Sequence, residues 1–164
     1  MIPIPTDTRH KSWIAQQTAK IPDENELSGD GMRYILVIDD DKSICSLLRA
    51  FLTKMGYQVE VAHDGKAGIE YFDNGPDFDL VITDIRMPKM DGSEVARHIR
   101  GSDRPATPIV AITGFSDTDI RIGFFDSLLL KPFDLDALKD IVTSLTENSW
   151  PPQTPDFLIR AHPE

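Results

Sequence analysis

The feature that most constrains this chain is a short apolar run that ends in an acidic side chain. Residues 80–82, Leu-Val-Ile, have the composition of a strand buried on both faces, and Asp84 follows at its carboxyl end. Pro88 prevents a helix from beginning at once, and Asp91-Gly92 supplies a turn before the next helical pattern. In an open parallel α/β sheet, ligands bind at the edge where the carboxyl ends of the strands lie, which makes Asp84 a candidate site residue. Taken alone, an aspartate before a loop is more often a turn former or a helix cap.

A second apolar run, residues 34–38, also ends in acid. It is followed by Asp39, Asp40 and Asp41. If the two strands are neighbours, their carboxylates lie close together, and such a cluster raises the pKa of its members or recruits a cation. A cluster of oxygen ligands with room for water suits Mg²⁺. Taken singly, Asp39 and Asp40 are equally well explained as N-caps of the helix that follows.

Two further predicted strands end in polar side chains. Residues 108–112 lead into Thr113-Gly114, a hydroxyl group followed by a residue with no side chain to obstruct a site. Residues 128–130 lead into Lys131, an ammonium group. By itself, Thr113 is explained as an ordinary strand residue and Lys131 as an ordinary exposed cation. Only their occurrence together with the acids, each at the end of a predicted strand, indicates a site.

The order of these groups, an acid pair, a single aspartate, a threonine and a lysine, resembles the receiver domain of two-component response regulators. The loop Met-Pro-Lys-Met-Asp-Gly at residues 87–92 agrees with the same family. The resemblance covers residues 32–148, roughly seven-tenths of the chain. It implies a receiver domain at 32–148, with an N-terminal extension or linker at 1–31 and a proline-containing C-terminal tail at 149–164. The extension is expected to be a flexible tail or a docking arm that carries Trp13.

The resemblance implies a role for each site residue. Asp84 is expected to be the phosphoacceptor, a carboxylate nucleophile that forms a mixed anhydride. Lys131 is expected to reach the phosphoryl oxygens as a point charge, and Thr113 to hydrogen-bond the same group. Mg²⁺ is the expected cofactor, because carboxylates and phosphoryl oxygens repel one another. Its expected ligands are Asp39, Asp40, Asp84 and the backbone carbonyl of Arg86.

The predicted fold is a doubly wound, five-stranded parallel sheet, because five strands alternate with five helices. The flavodoxin-like (βα)5 order 2-1-3-4-5 places strands one, three and four side by side, so that their polar ends converge. Asp41, Asp91 and Asp134 are assigned to helix capping and turns, and a short fourth helix is predicted to begin at Ser116. The first and last helices carry apolar stripes at spacings of three and four. These stripes are Ile44, Leu47, Leu48, Phe51, Leu52 and Met55 in the first, and Leu135, Leu138, Ile141, Val142 and Leu145 in the last.

Composition limits the partners. A formal net charge of −10 argues against direct binding to nucleic acid or to anionic lipid. Cys45 is the single cysteine, so disulfides and cysteine-based metal sites are excluded and a cytoplasmic location is expected. No apolar run approaches the ~18 residues that span a bilayer, so no membrane insertion is expected.

The chain departs from the family in the region before Lys131. The family's switch moves the threonine toward the phosphoryl group and rotates an aromatic side chain of the fifth strand, but that position holds Leu128. Thr113 and Lys131 are 18 positions apart, about one turn of ~3.6 residues shorter than is expected for the family. The usual Gly-Ala before the fifth strand is replaced by residues 124–127, Phe-Phe-Asp-Ser, whose phenylalanines are expected in the core rather than on a partner surface.

Three functions are compared. The favoured one is a stand-alone receiver that takes a phosphoryl group from a histidine kinase or a histidine phosphotransfer protein and thereby changes its binding to a downstream protein, with a homodimer left open. Beyond its own phosphorylation and slow dephosphorylation, no enzymatic activity is expected. The alternatives are a Mg²⁺-dependent phosphohydrolase with an aspartate nucleophile, and a receiver module of a larger hybrid kinase or regulator or one that acts as a non-phosphorylated scaffold. The presence of Asp84, Thr113 and Lys131 counts against the scaffold. A phosphohydrolase requires a second acid two residues after the nucleophile, where this chain has Arg86.

Overall fold

The computed structural model describes residues 31–114 and 122–147, and those from Met32 onward form one parallel α/β unit. Its strands are β1 (Tyr34–Ile38), β2 (Gln58–Ala62), β3 (Leu80–Asp84), β4 (Ile109–Thr113) and β5 (Ser127–Leu130). Its helices are α1 (Lys42–Lys54), α2 (Gly65–Asn74), α3 (Gly92–Arg100) and α4 (Leu135–Glu147), and a single 3-10 turn spans Ile122–Phe124. The predicted N-terminal extension through residue 30, the start of the predicted fourth helix at Ser116 and the C-terminal tail lie outside the described residues.

The sheet has the predicted topology. Its strand order is β2-β1-β3-β4-β5, and every neighbouring pair is parallel. The register pairs Ile38 with Thr83 between β1 and β3, and Asp84 with Ile112 between β3 and β4. The carboxyl ends of the three central strands therefore lie side by side, and the predicted doubly wound fold is confirmed.

Helices pack on both faces of the sheet, so the central strands are buried on both sides. One core contains Val37, Ile82 and Ile112 and packs against α1 and α4 through Leu48 and Leu138. The other contains the alternate strand residues, and α2 and α3 contribute to it. Its members include Ile38, Val81, Ala111, Phe72 and Ile99. Phe125 is buried in this second core and Phe124 packs against it, which confirms their predicted burial.

Aspartate side chains begin the helices, as predicted. Asp41 accepts hydrogen bonds from the backbone N–H groups of α1, and Asp91 forms a capping box with Glu94 at the start of α3. Asp134 Oδ1 accepts the backbone N–H of Asp136 at 2.9 Å, at the start of α4. Each bond satisfies a backbone donor that has no partner within its helix.

Two sequence expectations about the first βαβ unit are wrong in detail. Leu47 was assigned to the buried stripe of the first helix, but it is 44% exposed, whereas Cys45 is 2% exposed. The buried face of α1 consists of Cys45, Leu48 and Leu52, and Leu47 is turned away from it by about 100° of helical rotation. The apolar alternation over residues 57–61 predicts the second strand there, but β2 spans Gln58–Ala62, because Tyr57 belongs to the turn after α1.

In the part of the chain that the structure describes, the helices are too short and too polar to cross a membrane.

Candidate functional site

Three carboxylates meet at the carboxyl edge of the sheet. Asp39 and Asp40 follow β1, and Asp84 is the last residue of the adjacent strand β3. One carboxylate oxygen from each of the three residues lies within 4.8 Å of the other two. Asp39 and Asp84 are buried, whereas Asp40 is exposed, so the cluster opens to solvent on one side.

Backbone hydrogen bonds fix the orientation of Asp39. Its N–H donates to the carbonyl of Ala62 at 3.1 Å, and its Oδ1 accepts the N–H of Asp41 at 2.8 Å. Asp41 is the residue that caps α1, because its Oδ1 accepts the N–H groups of Ser43 and Ile44 at 2.8 and 3.3 Å. The alternative in which Asp39 or Asp40 is the N-cap is therefore wrong, and both carboxylates are left for the cluster.

Lys131 faces two of the carboxylates. It follows the edge strand β5, and its Nζ lies 3.3 Å from Asp39 Oδ2 and 3.4 Å from Asp84 Oδ2. The backbone N–H of Lys131 donates to the carbonyl of Thr113 at 2.7 Å, which continues the ladder between β4 and β5. A single ammonium group thus neutralises part of the charge of the cluster.

The charges in this cluster perturb one another. Burial raises the pKa of Asp84, and the Asp39 carboxylate raises it further, while Lys131 opposes both effects. Burial likewise raises the pKa of Asp39 against the opposing bond from Asp41 and the charge of Lys131. Burial disfavours the ammonium form of Lys131, but the attraction of Asp39 and Asp84 outweighs it and raises the lysine's pKa. The metal-free site is therefore short of positive charge.

Thr113 and Arg86 lie beside this cluster. Thr113 is 1% exposed and ends β4, one residue beyond Ile112, the register partner of Asp84. Arg86 is exposed and lies two residues after Asp84, in the loop that leads to α3. That loop packs closely against the strand, because a Cβ on Gly92 would lie 2.2 Å from the backbone oxygen of Asp84.

The residues at this edge fit a divalent cation. The three side chains supply oxygen ligands only, the set carries more negative than positive charge, and Asp40 gives access from solvent. Mg²⁺ prefers carboxylate oxygens and retains several waters, which a partly open site allows.

Two buried residues, Thr83 and Cys45, bond to the backbone of the site in a way that the sequence did not predict. The Oγ1 of Thr83 donates to the carbonyl of Asp84 at 2.9 Å, and the Sγ of Cys45 donates to the carbonyl of Asp39 at 3.1 Å. Burial, followed by the charge of Asp39, raises the pKa of the Cys45 thiol to about 11, so it remains protonated and able to donate. In the sequence these two residues are marked only by their closeness to Asp84 and Asp39. That closeness does not predict that their side chains donate to the backbone carbonyls of the two acids.

Comparisons with known proteins identify one family. The family model described as "Response regulator receiver domain" matches residues 35–143. The chain is 38% identical over 109 residues to the transcriptional regulatory protein ZraR of Klebsiella oxytoca, covering 64% of this chain and 24% of the relative. It is 33% identical over 111 residues to the response regulator ArlR of Staphylococcus epidermidis, covering 65% of this chain and 49% of that protein. The chain thus spans about a quarter to a half of the length of these relatives.

Solved structures show the same similarity. The response regulator TrrA of Thermotoga maritima, solved in complex with Mg²⁺-BeF, superimposes with a TM-score of 0.64 at 36% identity, covering 70% of this chain and 99% of that one. A response regulator receiver protein from Pseudomonas putida superimposes with a TM-score of 0.66 at 28% identity, covering 70% and 98% of the two chains.

Proposed function

The chain belongs to the response regulator receiver domain family of two-component systems, and from this premise we propose that Asp84 is its phosphoacceptor. The observation that carries the assignment is the position of Lys131, whose Nζ lies within 3.4 Å of both Asp39 and Asp84. A strand-end lysine that bridges two acids is placed to bind the oxygens of a group attached to either of them. Asp84 is the acceptor of the two, because Asp39 is held by the N–H of Asp41 as well as by Lys131.

The proposed step is transfer of a phosphoryl group from a phosphohistidine. An oxygen of the Asp84 carboxylate forms a bond to phosphorus, the P–N bond to the histidine breaks, and the imidazole leaves with the electron pair. Lys131 Nζ moves to a phosphoryl oxygen, and the Thr113 hydroxyl donates to another. Asp39, Asp40, Asp84 and the carbonyl of Arg86 would hold Mg²⁺. When bound, the ion neutralises the carboxylates and the phosphoryl oxygens.

The proposed partners follow from this chemistry. They are a histidine kinase or a histidine phosphotransfer protein, and a downstream protein whose binding changes with phosphorylation, with a homodimer left open. The strongly acidic chain is unsuited to direct binding of nucleic acid. We place the receiver domain at residues 32–148 and the protein in the cytoplasm.

The phosphohydrolase alternative is not favoured. The position two residues after Asp84 holds Arg86, which is always charged and cannot protonate a leaving group. A second arrangement, in which this chain is the receiver module of a longer regulator or hybrid kinase, is retained, because the curated relatives extend well beyond the matched region.

The proposal is tested by labelling with acetyl phosphate in the presence of Mg²⁺. The wild-type protein should gain one phosphoryl group by intact mass, and Asp84→Asn should gain none. Asp140→Asn, which removes an exposed carboxylate on α4, is the control and should label like the wild type. A wild type that takes up no phosphoryl group from acetyl phosphate or from any histidine phosphodonor would refute the proposal.

Self-dephosphorylation should be slow. Arg86 and Phe115 lie two positions after Asp84 and Thr113, and neither side chain is a general base for an attacking water. Phe115 lies outside the described residues, so this prediction rests on residue type. The decay of the acyl phosphate should be followed with Mg²⁺ present. A half-life of seconds would reject the prediction, and Phe115→Glu should shorten the half-life.

A further inference from the structure

The edge strand β5, which precedes Lys131, has fewer residues and fewer buried side chains than any other strand of the sheet. β5 has only four residues and pairs with β4 alone, in the register Val110 to Ser127 through Thr113 to Leu130. Of these four residues only Leu129 is buried, and Leu130 is 44% exposed. Leu129 lies in one core and Leu128 packs against the other, but a strand this short at the edge of the sheet holds its register less firmly than the central strands, which are buried on both faces.

The register of β5 decides where Lys131 lies. A slip of one residue moves every side chain by about 3.3 Å along the strand and turns it to the other face. The Nζ of Lys131 lies 3.3 Å from Asp39 and 3.4 Å from Asp84. A slip of one residue would therefore move the ammonium group by about the length of these contacts and break both of them. Any further bond just before these four residues therefore adds to the constraint on where Lys131 lies.

Asp126, the residue before β5, provides this constraint. Its N–H donates to the carbonyl of Ile109 at 2.8 Å, and its Oδ2 accepts the N–H of Ile109 at 2.7 Å. Both backbone groups of the first residue of β4 are thus bonded to one residue of the facing segment. A pair bonded in both directions fixes which residues face each other from that point onward.

Arg100, the last residue of α3, holds Asp126 in place. Its Nη2 donates to Asp126 Oδ2 at 2.7 Å, and its Nε donates to the carbonyl of Phe124 at 3.1 Å. Its Nη1 donates to the carbonyls of Pro105 and Thr107 at 2.7 Å each. The side chains of Arg100 and Asp126 are only 22% and 19% exposed, so solvent screens the pair less than it would a surface ion pair.

We propose that Arg100 and Asp126 are positioning residues for Lys131, which set the register of β5 and so place the ammonium group between the two acids. The proposal rests on the proposed function, because it explains how this chain aligns its phosphoryl-binding lysine. Asp126 precedes Lys131 by five residues, about 16 Å along an extended strand. Direct electrostatic effects are weak at that distance in salt, so the influence passes through the strand.

The first experiment measures the register in the metal-free, full-length chain. The N–H of Lys131 donates to Thr113 at 2.7 Å, so its hydrogen exchange reports on the last ladder bond of this edge. Asp126→Ala should speed that exchange about tenfold or more. The amide of Val37, in the central strand β1, should be unchanged and is the internal control. Unchanged exchange at Lys131 would overturn the proposal. So would equal acceleration at both amides, because that result shows general loosening of the domain.

The second experiment is a double-mutant cycle on binding of beryllofluoride with Mg²⁺, measured by calorimetry. Asp126→Ala should weaken binding about tenfold, as expected when a contact is displaced by an ångström or more. Lys131→Met should weaken it more, and the double variant should bind within about twofold of Lys131→Met. If the tenfold loss persists in full in the Lys131→Met background, Asp126 does not act through Lys131 and the proposal is wrong.

Two further variants keep the cycle interpretable. Asp126→Asn retains an oxygen acceptor for Ile109 and should fold even if Asp126→Ala does not. Asp126→Asn should weaken beryllofluoride binding about threefold. In the Lys131→Met background the same substitution should have no effect on binding. Asp77→Asn removes another carboxylate that bonds an arginine, at 3.1 Å from Arg104, and should bind beryllofluoride like the wild type. A wild type that binds no beryllofluoride would count against the proposed function. The exchange experiment would still test the register proposal, because it requires neither metal nor beryllofluoride.

Discussion

Replacing Asp84 by asparagine should stabilise the metal-free domain at neutral pH. The substitution keeps the size of the side chain and removes one charge from a cluster of three carboxylates. Burial and the charge of Asp39 both disfavour ionised Asp84, as its raised pKa shows. The attraction of Lys131 favours ionised Asp84. The substitution therefore stabilises the fold only if the repulsion from the two neighbouring acids, together with the cost of burying the charge, exceeds this attraction.

The distances give the size of the effect. One carboxylate oxygen of Asp84 and one of each of its two acidic neighbours lie within 4.8 Å of one another, and unit charges at that separation repel by about 3.5 kcal/mol with an effective dielectric constant of about 20. The contact with Lys131 at 3.4 Å attracts by about 5 kcal/mol on the same basis. Two repulsions therefore exceed one attraction by about 2 kcal/mol. Solvent around exposed Asp40 reduces that excess, and burial of the Asp84 charge increases it. A gain of about 2 kcal/mol is expected.

The assay is urea unfolding followed by circular dichroism in EDTA at pH 7.5. Asp84→Asn should unfold at a higher urea midpoint with an unchanged slope, and Asp140→Asn, an exposed control on α4, should shift stability by less than about 0.5 kcal/mol. An acid with a raised pKa binds more protons when folded, so its charge destabilises the fold at high pH. The advantage of Asp84→Asn should shrink as the pH falls through that raised pKa toward the usual 3.8. An Asp84→Asn variant less stable than wild type at pH 7.5 would contradict this prediction and show that the attraction of Lys131 dominates.

Other substitutions test the same account. Lys131→Met removes the ammonium group that faces both acids, so the metal-free domain should lose about 2 kcal/mol or more at pH 7.5, and Mg²⁺ should restore part of it; equal stability without metal would contradict the pairing. Gly68→Ala should cost about 1–3 kcal/mol, because its Cβ would lie 2.4 Å from Ile38 Cδ1. Gly101→Ala, whose Cβ would meet nothing closer than 3.5 Å, is the matched control, and an equal loss in urea unfolding would exclude the steric explanation.

Much of the site was predictable because it depends on strand ends alone. In a parallel sheet, the carboxyl ends of neighbouring strands meet at one edge whatever the details of helix packing. Asp39, Asp84 and Lys131 each directly follow or end an apolar run, so recognising the runs was enough to bring them together. The alternation of strands and helices predicts the doubly wound sheet, and the order that puts β1 beside β3 is the flavodoxin-like one that the family resemblance implies.

The features that were missed depend on helix phase and on long-range contacts. Leu47 and Cys45 lie two positions apart on α1, and the apolar spacing alone allowed either to face the core. The ion pair of Arg100 with Asp126 joins residues 26 positions apart on separate elements, and no local pattern specifies such a partner. The sequence showed only that residues 124–127 depart from the family, and the structure adds the bonds that Asp126 makes there to Arg100 and Ile109.

The most direct test of the central claim is to locate the phosphoryl group. Protein labelled with acetyl phosphate and Mg²⁺ should be reduced with borohydride, which converts an aspartyl phosphate to homoserine, and then digested and sequenced by mass spectrometry. Asp84 and no other aspartate should be converted. Conversion of Asp39 or Asp40 instead, with Asp84 intact, would contradict the assignment of Asp84 as the acceptor beside Lys131.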